Sequence, residues 1–123
     1  MIEIISCKGT ITSCLEKEIL SNFNGYTFKK VIDAFVRKDI SSKDYSRLSR
    51  LVNYRRSAQS FRYSMIIEKM TERHEVASLM LDVMNKHRMH LIDEEVYEFV
   101  FRRLNEKDKV LQTLESIKDF NNN

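Results

Sequence analysis

The chain has 123 residues, 32% charged and 42% hydrophobic, and carries a formal net charge of +3. It has no Pro, no Trp and only two glycines, Gly9 and Gly25, which excludes a turn-rich β fold and points to one small all-α domain. No apolar run is long enough to span a membrane, and the N-terminus lacks the charged, apolar and small-residue order of a signal peptide.

In chain order, Met1–Ser6 reads either as a short strand or as the remains of a helix, and the residues do not choose between them. Cys7 and Cys14 lack the spacing of a zinc pair and are expected as free thiols in a reduced compartment. Ser13 and Glu16 are spaced as a capping box opening a helix that Asn22 to Gly25 would close. Residues 1–24 are thus an N-terminal segment, a partial unit ahead of the main domain at 25–120, and residues 121–123 are a frayed tail.

The main domain repeats itself. Phe28, Tyr63 and Tyr97 each open a similar run of an apolar pair, an ionic residue and a bulky apolar residue, at offsets of 35 and 34 residues. Such a period predicts about three helix-turn-helix units of 34–35 residues, stacked as a short α-solenoid. The first helix of each unit would bury Val31, Ile32 and Phe35, then Ile66, Ile67 and Met70, then Val100, Phe101 and Leu104. Second helices would carry Ser42, Tyr45 and Leu48, then Ala77, Met80 and Val83, then Leu111, Leu114 and Ile117. Polar turns are expected at 38–42, 72–75 and 105–108.

Tyr63, Ile67, Glu68 and Met70 in the first helix of the middle unit, with Ala77 and Met84 in its second, resemble a pentatricopeptide repeat over roughly Gly25 to Phe120. The chain departs from that family in lacking the Gly between helices and the Gly and Pro that end a unit. Tetratricopeptide repeats share the period but not the markers, and rank second. The resemblance implies binding of single-stranded RNA, about one base per unit, in RNA processing, stability or translation in a mitochondrion or plastid. The base-reading positions it carries over are Ser64 with Asp93, suggesting guanine, then Lys29 with Gln59, and Glu98 without a partner. No transit peptide is visible, because Glu3, Glu16 and Glu18 make the start too acidic; failing an organelle, the expectation is cytoplasmic.

Charge supplies an independent observation. Between Tyr26 and Arg62 ten Lys or Arg stand against three Asp, a local +7, while the rest of the chain sums to −4. Lys43, Arg47, Arg50, Arg55 and Arg56 are the expected phosphate contacts. The bland reading is a solvated helix surface. Phe28, Tyr63 and Tyr97 are expected as core rather than base-stacking residues. The same residues admit two other functions: a protein-interaction scaffold of tetratricopeptide type, or a helix-turn-helix DNA regulator reading a groove with Arg47, Arg50, Arg55 and Arg56.

Nothing in the residues calls for an enzyme. His87, His90, Asp93 and Glu94 fall in a polar connector and read as a solvated turn rather than a metal site. No catalytic set, no metal and no cofactor is assigned.

Overall fold

The computed structural model of the chain describes residues 9–122 and is all-helical over them. Five helices follow one another: α1 (Ile11–Ser21), α2 (Thr27–Val36), α3 (Ser42–Glu68), α4 (Arg73–Arg88) and α5 (Glu94–Asn122). Met1–Ser6 and Cys7 lie outside the described residues. Cys14, buried in α1, is disulfide-bonded rather than the free thiol expected, which removes the thiol argument for a reducing compartment.

α1 starts two residues before the expected capping box. Thr10 is its N-cap, and the Thr10 hydroxyl accepts from the Ser13 N–H at 3.1 Å. Gly25 does not end that helix, whose C-cap is Asn22. It serves a close approach instead: its N–H donates to the His90 carbonyl at 3.0 Å, and a Cβ there would meet backbone atoms of His90 and Ile92 at 3.1–3.2 Å.

The expected turn at 38–42 is present, at 37–41, and is closed without glycine. Lys38 takes φ 64, its N–H donates to Phe35 O at 3.0 Å, and the Asp39 N–H donates to Ala34 O at 2.8 Å. Those two bonds make a Schellman ending. α4 ends identically, with His90 at φ 58, His90 N–H to His87 O at 3.1 Å and Leu91 N–H to Lys86 O at 2.8 Å.

Two expected breaks do not occur. α3 runs 27 residues, joining the second helix of the first unit to the first helix of the second. α5 runs 29 residues straight through 105–108, where a turn was expected, and continues through the expected frayed tail to Asn122. Asn105, Glu106, Lys107 and Asp108 are tolerated in a helix and contain no breaker, so polarity alone ends nothing. Lys107 Nζ donates to Glu68 O at 3.1 Å, and Arg73 pairs with Asp108 at 2.9 Å, fastening this stretch to the α3–α4 turn.

Two cores result. Leu15, Ile19, Phe23, Val31, Ala34, Ile40, Leu48 and Val52 bury α1 and α2 against the first half of α3. Ile67, Met70, Val76, Val83, Ile92, Val96, Val100, Leu104 and Leu111 bury the second half of α3 against α4 and α5. The expected stripes are partly displaced: Phe35, Ile66, Leu114 and Ile117 are exposed, and Thr27 and Ala34 are buried instead in α2. α3 and α5 run parallel, since Arg56 meets Glu95 at one end and Glu68 meets Lys107 at the other. α4 runs back between their ends.

Lys38→Gly is expected to stabilise the fold by about 1 kcal/mol, because a left-handed backbone costs a side-chain-bearing residue that much; urea midpoints would check it. The hydrogen bond from Arg73, and then its charge, hold the Asp108 carboxyl below its ordinary 3.8, with burial opposing. A lowered folded value means stabilisation that is complete above 3.8 and lost as pH falls through the folded value. Asp108→Asn should therefore be less stable than the parent chain at neutral pH, and the gap should close in strong acid.

Candidate nucleic-acid interface

α3 carries six of the ten cations of the basic block, so its construction decides which of them meet solvent. Ser41 caps it, its hydroxyl accepting from the Asp44 N–H at 3.1 Å. Between Tyr45 and Ile67 the helix holds five arginines and no Asp or Glu. An α-helix places residues seven and eleven apart on one side. Lys43, Arg50, Tyr54, Phe61 and Met65, spaced seven, four, seven and four, form such a line. All five are exposed, Tyr54 and Phe61 at 67% each.

Other cations of the block are engaged within the molecule. Arg47 pairs with Glu16 of α1 at 3.0 Å, and Lys30 of α2 with Glu18 at 2.8 Å. Arg56 is the most committed. Its Nε and Nη2 donate to the two Asp93 oxygens at 2.8 and 3.2 Å, its Nη1 lies 3.2 Å from Glu95, and its guanidinium sits 4.6 Å over the Phe28 ring. Arg55 is half-buried, with its Nε sealed from solvent and unpartnered among the described residues. Of the expected phosphate contacts, Lys43 and Arg50 are exposed and have no ion-pair partner among the described residues, whereas Arg47 and Arg56 serve the fold.

The base-reading residues implied by the resemblance are placed unequally. Lys29 is exposed on α2 and Glu98 on α5, while Gln59 and Ser64 are half-buried on α3. Asp93 is only 3% exposed and is spent twice over, on Arg56 and on capping α5 through the Glu95 and Val96 N–H groups at 3.1 and 3.4 Å. No hydrogen bond or ion pair joins these five to one another among the described residues. Asp93 presents no free carboxylate to a base.

Phe28, Tyr63 and Tyr97 are half-buried and pack on the two cores. The aromatic residues open to solvent on the basic helix are Tyr54 and Phe61, which the repeat period passed over. Their signal is the seven-residue interval shared with Lys43 and Arg50. His87 and His90 diverge: His87 stacks on Tyr97 at 3.9 Å with Nε2 2.6 Å from Glu94, and His90 stacks on Tyr26 at 4.5 Å. No group of three metal-capable side chains exists among the described residues.

No family model matches the chain, and no curated protein or solved structure matches it.

Asp93→Ala should cost about 3–5 kcal/mol, since it takes both Asp93 hydrogen bonds from the buried Arg56 guanidinium, leaving it only the exposed Glu95, and uncaps α5. Denaturant unfolding measures it, and a loss below 1 kcal/mol (about one surface pair's worth) would show that the pair does not organise the site.

Proposed function

We propose that the chain binds single-stranded RNA along the outer face of α3. The observation that carries this reading is the exposed line of Lys43, Arg50, Tyr54 and Phe61 on a helix with no acid between Tyr45 and Ile67. Lys43 and Arg50 offer cations to phosphates, and Tyr54 and Phe61 offer flat rings to bases. Rings can stack only on bases that are not already stacked in a duplex, which favours a single strand over the major groove. A groove reader is disfavoured for a second reason: Arg47 and Arg56, half of its four arginines, are held by Glu16 and Asp93.

This reading keeps the ligand of the pentatricopeptide resemblance and changes the contacts. Of the expected hairpins, α2 packs on α3, whereas α4 packs on α5, so in this reading one continuous helix lies along the strand in place of a base-per-unit code. An organellar role in RNA processing, stability or translation belongs to the same proposal.

A protein-interaction scaffold is the second reading. It is favoured by the apolar stripe of Val110, Leu114 and Ile117 at the exposed end of α5. That stripe lies on a different helix from the basic line, so the two readings separate by mutation.

The test is fluorescence anisotropy with a labelled single-stranded RNA, titrated at several salt concentrations with duplex DNA as competitor. Arg50→Ala should lower the log–log salt slope by about 1. Tyr54→Ala or Phe61→Ala should weaken binding by about 1–3 kcal/mol each with the slope unchanged. Binding that ignores salt, survives Arg50→Glu or is displaced by duplex DNA sinks the proposal.

A further inference from the structure

α3 and α4 leave a groove of about 480 Å³ between them, closed at one end by the connector into α5. Its walls are mainly apolar, with the Tyr63 ring and Ile66 on the α3 side facing Leu79 of α4 and Leu91 of the connector. Its polar groups are few and sit in distinct places. Asp82 and Lys86 pair with each other at 3.1 Å, and Asp82, with lesser help from the Tyr63 hydroxyl, holds the Lys86 ammonium above its ordinary value against burial. Gln59, half-buried at the wall, has no side-chain hydrogen-bond partner among the described residues. Arg62, at the rim, is exposed and has no acidic partner among them.

Each of these groups limits the occupant. Apolar walls around an aromatic ring suit a flat or aliphatic body. One unbalanced cation at the rim, Arg62, suits a single anionic group. Gln59 offers a donor and an acceptor side by side, and the Asp82–Lys86 pair offers an acceptor beside a donor, so the body should carry hydrogen-bonding groups along its edge. An alkyl carboxylate would use the walls and Arg62 but leave the Gln59 amide desolvated and unpaired. A nucleobase with its phosphate answers every group.

We infer that this groove is a nucleotide site, with the base between Tyr63 and Leu79, its edge toward Gln59 and Asp82, and its phosphate on Arg62. The inference rests on the RNA reading in one respect. Arg62 follows Phe61 on α3, about 100° round the helix from the outer line, and the groove lies beyond it, so a strand that uses both must wrap round α3 past Arg62. A free mononucleotide tests the groove without that premise.

The experiment is methyl NMR of the full chain, titrated with AMP, CMP, GMP and UMP in turn, with inorganic phosphate and decanoate as controls. At least one nucleotide should shift the methyls of Ile66, Leu79, Leu91 and Ile92 saturably. Arg62→Ala should weaken that binding about tenfold, the worth of one charge-assisted contact, and Leu79→Glu should abolish it in a chain whose spectrum remains folded. Silence of these methyls toward all four nucleotides overturns the inference, as does an equal response to phosphate alone or tighter binding of decanoate. If a single-stranded RNA binds through Arg50 and Tyr54 while the groove methyls stay silent, the groove fails and the RNA reading stands. If mononucleotides fill the groove while no RNA binds, the RNA reading fails and a free-nucleotide site stands.

Discussion

A guanidinium shut away from water must be matched or the fold around it fails, and the placing of Arg56 is the constraint on which the rest of the structure hangs. Its side chain is 14% exposed and its partner Asp93 3%, so neither charge is screened by solvent. Two parallel hydrogen bonds fix the angle between the planes as well as the distance. Because Asp93 also caps α5, the same carboxylate that satisfies α3 decides where α5 begins. Phe28 beneath the guanidinium brings in α2. Three helices from both halves of the chain meet at one ion.

A second joint lies beside it. The loop before α2 and the loop before α5 touch through the Gly25 N–H and His90 carbonyl, and through the Tyr26 and His90 rings. Glycine suits that place because a Cβ would press on His90 and Ile92 backbone atoms at 3.1–3.2 Å. With α3 shared, these contacts seat the α1–α2 core and the α4–α5 core on one axis.

Helix type and much of the core were legible in the sequence, since Val31, Leu48, Ile67, Val83, Val100 and Leu104 recur at helical spacing and all are buried. Helix ends were less so. Polar runs and glycine are the turn signals a sequence shows, yet Lys38 and His90 take the left-handed position themselves, and Asn105 to Asp108 form no turn. The repeat of Phe28, Tyr63 and Tyr97 is real as a pattern of half-buried rings, but a period in sequence does not specify whether the next helix folds back or carries on. The candidate site was half legible. Charge located α3, but a basic residue looks the same in sequence whether it faces solvent, as Arg50 does, or an acid 37 positions away, as Arg56 does. Tyr54 and Phe61 were hidden because their interval belongs to the helix surface and not to the repeat.

The continuity of α3 has a consequence for how the chain comes apart. In a stack of separate hairpins each unit melts against its neighbour, and the ends open before the middle. Here 27 residues, about 40 Å of helix, contribute Leu48 and Val52 to one core and Ile67 to the other. Neither core can lose its wall without unwinding a rod that the other still grips. Amide protons along α3 would then exchange as one block, with the protection of the whole domain, and the molecule would behave as a single cooperative unit hung on the helix that both cores share.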